Sequence, residues 1–206
     1  RKTTITWNSK SFQKTNKIFK NGKNFYFIFQ TKKFPLIKDK TNLIGFVNLK
    51  MQTVLWVIGK TNNNWLSQML DDYKKRIQKY QRFEILIIPD LKNKVNLSKS
   101  VRKKKEGELV IDRLNESDYL IVLDKDGTQM DSLLFSKFIS IKRMGSQKRL
   151  IFLIGGAYGI AESVYKRANE KISFSKMTFS HQMIRLFFLE QLYRANSILK
   201  NEPYHN

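Results

Sequence analysis

The chain has 206 residues, 41% of them hydrophobic, with no cysteine, two histidines and a formal net charge of +22. That apolar content supplies a packed core and argues against disorder throughout, while the missing cysteines exclude a disulfide framework and any thiolate metal site. Two histidines close to the C-terminus argue against an all-protein zinc site. No apolar stretch approaches the ~20 residues of a membrane-spanning helix and no secretory leader is visible, so a soluble cytoplasmic protein that meets a polyanion is expected.

Residues 1–50 carry 12 Lys or Arg against one acid, Asp39, with neither strand nor helix periodicity beyond the apolar patch Phe25 to Phe29. Position 51 is a methionine immediately before a clean strand pattern. The expectation is a basic N-terminal extension over 1–50, outside the fold or translated from upstream sequence, and a working domain over 51–206. A basic RNA-binding arm and a targeting peptide are the alternatives.

From Met51 onward, strand and helix alternate. Thr53 to Ile58 reads as a strand ending at Gly59, and Trp65, Leu66, Met69, Leu70, Tyr73 and Ile77 then fall at helical spacing. Phe83 to Ile88 is a second strand, closed by Pro89. A basic segment from Ser98 runs as a helix into Leu109 to Leu114, with Gly107 as its weak point. Tyr119 to Leu123 is a third strand, ended by the turn signal Asp124-Lys-Asp-Gly127. A helix around Leu133 to Ile141, a strand at Leu150, a short helix from Glu162 to Glu170, a strand at Ile172 and a long helix from about Gln182 to Leu199 follow. The pattern predicts an α/β domain with a mostly parallel sheet and flanking helices.

Ligands bind such sheets outside the carboxyl ends of the strands. Three strand ends stand out: Leu123-Asp124, Gly155-Gly156 and Ser175 to Ser180. Glycines at 155, 156 and 159 would allow close backbone approach and positive φ, although a plain strand-to-helix turn needs glycine too. No dinucleotide fingerprint or phosphate-binding P-loop is present.

The segments Leu153-Ile-Gly-Gly-Ala-Tyr-Gly159, Phe174-Ser-Lys-Met-Thr-Phe-Ser-His-Gln-Met-Ile-Arg185, Leu189-Glu-Gln-Leu-Tyr-Arg-Ala195 and Glu202-Pro-Tyr-His205, with Lys105-Glu-Gly-Glu108, resemble the ribosomal RNA large-subunit methyltransferase H family. The resemblance covers Met51 to Asn206 and not residues 1–50. It implies a SPOUT-type α/β fold with a C-terminal trefoil knot, methylation of N3 of a pseudouridine in 23S ribosomal RNA, a homodimer, and S-adenosylmethionine as cofactor. The RNA partner would be the large subunit or the assembled ribosome. Carried over by residue, the cofactor lies against Leu123, Gly155, Phe174, Ser175, Lys176, Met177, Thr178 and Phe179. The family commonly has proline where Ser180 stands, and serine there would cap a helix instead.

Methyl transfer from a sulfonium needs alignment and loss of one proton from the acceptor nitrogen. The candidates around the reaction are His181, Arg185, Tyr204 and His205, with no general base assigned. Taken without the resemblance, His181 and Arg185 are equally readable as structural helix-start residues, and Tyr204 and His205 as a frayed end. The last helix is apolar on more than one stripe, which suggests a core face and a partner face, or full burial. The groups Arg102 to Lys105 and Lys142, Arg143, Lys148 and Arg149 are candidates for phosphate contact, or plain solvated faces. Another SPOUT RNA methyltransferase with a different target, or a non-catalytic RNA-binding module, are the alternative functions.

Overall fold

The computed structural model describes residues 17–21, 24–28, 51–91 and 97–205. The chain divides into two units, Arg1–Leu43 and Ile44–Asn206. Within the first, β1 (Lys17–Asn21) and β2 (Asn24–Ile28) pair as antiparallel strands, Phe19 opposite Tyr26. The expected boundary between residues 50 and 51 adjoins a stretch outside the described residues.

The second unit holds β3 (Gln52–Ile58), α1 (Asn64–Gln78), β4 (Phe83–Ile88), α2 (Lys99–Ile111), β5 (Asp118–Gln129), α3 (Ser132–Arg143), β6 (Arg149–Ile154), α4 (Glu162–Arg167), β7 (Glu170–Ser173) and α5 (Met183–Leu199). Its five strands form one parallel sheet in the order β4-β3-β6-β5-β7. Parallel strands covered on both faces read as unbroken apolar runs, and β3 and β6 are buried over nearly their whole length. Alternate residues serve opposite layers. Leu55, Val57 and Phe152 pack with Leu66, Phe135 and Phe188 from α1, α3 and α5, whereas Val54, Trp56 and Leu153 pack with Val110 and Val164 from α2 and α4. The result is a three-layer α/β/α unit. Side-chain caps start three of the helices: Asn63 accepts from Trp65 N, Ser98 from Val101 N, and Asp131 from Leu134 N.

Two expectations need correcting. The Asp124 to Gly127 turn signal does not end its strand, because β5 continues to Gln129 with a register shift between Leu123 and Thr128 against β7. Gly127 belongs to that irregularity, since a Cβ there would stand 2.4 Å from the backbone carbon of Ile172. The short helix stops at Arg167, and Glu170 already starts β7. Most of the apolar surplus of the last helix is spent inside the monomer: Phe188, Leu189, Leu192 and Ala195 are buried, with Ile184, Leu186 and Tyr193 packed against the same core. The broad apolar arc of α5 comes from lying on the sheet with α1 and α3 in contact with it.

A cavity at the strand carboxyl ends

A cavity of about 360 Å³ opens where β6 and β7 end and where the ladder of β5 with β6 stops at Leu123, ahead of the irregular continuation of β5. Leu123 and Ile154, paired in register, form its floor with Ile172 of β7. Two loops close over them. The first runs from Gly155 to Ile160 and folds back on itself through a bridge between Gly156 and Gly159, with Gly159 N donating to Gly156 O at 3.1 Å. Of its three glycines only Gly159 has positive φ, at 83°. Gly155 is required for another reason: a Cβ would meet Ile160 Cγ1 at 2.6 Å and the Gly159 carbonyl carbon at 3.2 Å. Its bare Cα lets the loop close on itself as well as facing the cavity.

The second loop, Phe174 to Gln182, is pinned by serines. Ser173 Oγ donates to Ser175 O at 2.8 Å, Ser175 Oγ accepts from Met177 N at 2.9 Å, and Ser180 Oγ accepts from Met183 N at 3.2 Å at the start of α5. Phe174 is anchored edge-on to Phe135, ring centroids 5.4 Å apart. Of the residues expected at the cofactor, Leu123, Gly155, Phe174, Ser175, Met177, Thr178 and Phe179 line this one cavity. Lys176 does not; it lines an adjoining depression with Gln129, Met130 and Asp131.

The reaction candidates separate. His181 lines the cavity. Arg185 is buried, 1% exposed, and its guanidinium donates to Ile58 O at 2.8 Å, Thr61 Oγ1 at 3.0 Å and His181 O at 3.1 Å. Burial lowers its pKa to about 10 against the opposing charge of Asp90. Arg185 thus ties the loop before α5 to the end of β3. Tyr204 is not among the lining residues and packs on α1 and α5, its ring 4.7 Å from that of Tyr193 and its hydroxyl 3.4 Å from Tyr73 Oη. Burial, then the Tyr73 hydrogen bond, raises its pKa. His205 ends the turn Pro203–His205, and its side chain lies outside the described residues.

Some residues of the site were only partly legible in the sequence. Asp124, read both as part of a strand end facing a ligand and as the start of a turn, lines the cavity beside Lys125. Tyr165 Oη donates to its Oδ2, and Asp126 N donates to Oδ1 at 2.9 Å. Burial would raise the pKa of Asp124, but the bonds from Tyr165 and Asp126 N, with the charges of Lys171 and Lys125, hold it below the ordinary carboxylate value. It is a fixed anion. The carboxylate Oε2 of buried Glu106 stands 3.1 Å from where a Cβ on Gly156 would lie, and the Arg102 guanidinium lies 5.7 Å from the Tyr158 ring, so α2 buttresses the glycine loop. A carboxylate directly after the apolar run Tyr119 to Leu123 was the signal for Asp124; Glu106 carried only its place in Lys105-Glu-Gly-Glu108.

The basic group near β6 is largely committed within the chain. Lys142 pairs with Glu170 and Tyr119, Arg143 donates to Asn196 Oδ1 at 3.2 Å, and Arg149 pairs with Asp118. The Arg149 and Asp118 pair opens β6 and β5, at the opposite strand ends from the cavity.

The family model described as "Predicted SPOUT methyltransferase" matches residues 51–205, which takes in the whole parallel sheet and both loops of the cavity, and places the chain in the SPOUT class of methyltransferases. A protein of Parabacteroides distasonis named Ribosomal RNA large subunit methyltransferase H is 51% identical over 156 residues, 76% of this chain and 99% of its own length. Proteins of the same name from Christiangramia forsetii and Cytophaga hutchinsonii are each 53% identical over 156 residues, covering 99% and 100% of their lengths. The chain belongs to the ribosomal RNA large subunit methyltransferase H family and is an enzyme that draws on a methyl donor. Among solved structures, a tRNA (m1G37) methyltransferase from Aquifex aeolicus aligns at 14% identity over 69% of each chain, with a TM-score of 0.43.

Proposed function

We propose that this enzyme transfers a methyl group from S-adenosylmethionine to N3 of a pseudouridine in 23S ribosomal RNA, acting on the large subunit or the assembled ribosome in the cytoplasm. The observation that carries the reading is the cavity where β6 and β7 end, in a chain that matches relatives of that name along nearly their whole length. At about 360 Å³ the cavity falls in the range of small-molecule sites. Leu123, Ile154, Ile160 and Met177 offer apolar walls to an adenine ring, and Asp124 is an ionised carboxylate at the wall for a positively charged donor. The lining fits this donor in size, apolar character and charge. When bound, S-adenosylmethionine supplies an already activated methyl on a sulfonium, so the chain's own task is to hold, orient and desolvate.

Met51 to Asn206 is the working domain in this reading, with residues 1–50 as an extension. A homodimer accounts for two features. Phe179 and Phe187, rings 4.8 Å apart, stay about 40% exposed beside the cavity, with Met177 74% exposed nearby. Tyr204, packed on α1 and α5, would then serve the cavity of a second copy. Among the described residues no helix is long and apolar enough to cross a membrane.

The test is nucleoside mass spectrometry of 23S RNA from a strain lacking this protein, with and without the gene restored, and with a form beginning at Met51. Loss and return of an N3-methylated pseudouridine is expected. A different missing nucleoside would indicate another RNA target, and RNA binding without saturable donor binding would indicate a non-catalytic module.

A further inference from the structure

Gln182 stands between a backbone carbonyl and an imidazole. Its Nε2 lies 3.1 Å from Lys60 O and 3.1 Å from His181 Nε2. A carbonyl oxygen only accepts, so the contact with Lys60 assigns the amide NH2 to that side, and Gln182 Oε1 is left buried without a hydrogen-bond partner among the described residues. Turned over, it would set the Gln182 carbonyl against that of Lys60, two acceptors at hydrogen-bond distance. The second hydrogen of the same NH2 is then directed at His181 Nε2. Only a bare ring nitrogen can receive it, and a neutral imidazole with Nε2 bare carries its proton on Nδ1. An imidazolium would place N–H against N–H.

We infer that Gln182 is a positioning residue that holds His181 as the neutral Nδ1–H tautomer at the cavity wall, and that His181 serves methyl transfer as a hydrogen-bond donor rather than as the base. The role in transfer rests on the reading of function given above; the tautomer does not. Nδ1 already holds a proton, and Nε2 could take one only by releasing Gln182 and leaving two donors face to face. A donor is useful here. In the transfer the imide proton passes to solvent water, and N3 takes the methyl as the bond from carbon to the sulfonium sulfur breaks and leaves a neutral thioether; proton loss builds negative charge on the flanking carbonyl oxygens of the base, and a prepositioned N–H lowers the cost of that charge. The backbone around the pair is equally constrained, because His181 O accepts from Arg185 Nε at 3.1 Å, and Arg185 in turn holds Ile58 at the end of β3. Lys60 and Ile58 lie on the same strand exit, so Gln182 and Arg185 anchor adjoining points of the loop to one element.

The experiment is long-range 1H–15N NMR of the imidazole nitrogens in the full chain at neutral pH. Two histidines give two ring systems, and His205→Gln leaves that of His181 alone. The expected spectrum has a protonated Nδ1 and a bare Nε2 for His181 in otherwise unaltered protein. A proton on Nε2, or an imidazolium, overturns the inference. Gln182→Met should release the tautomer toward the Nε2–H form, and an unchanged spectrum would show that Gln182 is not what holds it. For the donor role, His181→Asn keeps an N–H close to the Nδ1 position and should retain most of kcat on ribosomes. His181→Ala should lose a factor on the order of 10². Equal losses in the two variants would remove the donor role. An Nδ1–H spectrum in a protein that methylates no ribosomal RNA would count against the proposed function and leave the tautomer standing.

Discussion

Arg185 reaches from the first turn of α5 to the carbonyl oxygen of Ile58, the last residue of β3, at 2.8 Å and out of contact with solvent. A cation in the first turn of a helix opposes the helix dipole, so its place is explained by the three acceptors it satisfies. Arg185→Met leaves those acceptors without their donor and should cost about 3 kcal/mol, read as a lower midpoint in urea. Arg185→Lys keeps charge but not the planar fork and should recover little of the loss. A lysine variant as stable as the parent would show that charge alone matters.

Gly155→Ala tests the loop without a large side chain. The new Cβ meets Ile160 Cγ1 at 2.6 Å and the Gly159 carbonyl carbon at 3.2 Å, so the loop or Ile160 must move. Overpacking of this kind costs about 1–3 kcal/mol, and most of it should fall on the loop. Calorimetric titration with S-adenosylmethionine should show Kd raised about tenfold or more, with the circular dichroism spectrum unchanged. Parent-like affinity would mean that the loop does not shape the donor site.

Asp118 and Arg149 govern acid stability at the far end of the sheet. Burial would raise the Asp118 pKa, but hydrogen bonds from Arg149 and Asn115 N, with the charges of Arg149 and Arg167, bring it below the ordinary value. The folded pKa is thus depressed, and the stability it contributes is present above the unfolded value of about 3.9 and lost as pH falls through the folded one. Asp118→Asn should lower stability at neutral pH by about 3 kcal/mol and flatten the loss of stability below about pH 4. An unaltered acid slope in urea titrations would assign that sensitivity to other carboxylates.

Local pattern carried the alternation of strands and helices because each buried strand is one apolar run, as in Thr53 to Ile58 and Leu150 to Ile154. Leu123 and Gly155 were legible as cavity residues because each closes an apolar run, Leu123 where the pairing of β5 with β6 stops and Gly155 directly after β6. Legibility failed where a distant partner decides. Asp124-Lys-Asp-Gly127 has the composition of a turn, yet β7 takes it up as an irregular continuation of β5, with Gly127 against Ile172. Gln182 has no marked local signal, since its role depends on a carbonyl 122 positions away. The apolar surplus of α5 could not be divided between core and partner without knowing that both α1 and α3 contact it.

The last prediction concerns the C-terminal turn. Tyr204 is not frayed: its ring packs on Tyr193, the Arg194 guanidinium lies 4.8 Å from its centroid, and its hydroxyl is 3.4 Å from both Tyr73 Oη and Glu190 Oε1. With its pKa raised by burial and by Tyr73, the phenol keeps its proton at neutral pH and is no base there. In the proposed dimer its use in transfer would be to position the RNA base at the cavity of the other copy. Deleting residues 203–206 leaves Gly155 and Phe174 to Phe179 in place, so S-adenosylmethionine affinity by calorimetry should hold. Methyl transfer to ribosomes should fall by a factor on the order of 10². Tyr204→Phe, which keeps the ring packing and removes the hydroxyl, separates support from contact: near-parent transfer would limit the hydroxyl to packing. Full activity after the deletion itself would leave Tyr204 and His205 with no part in the reaction.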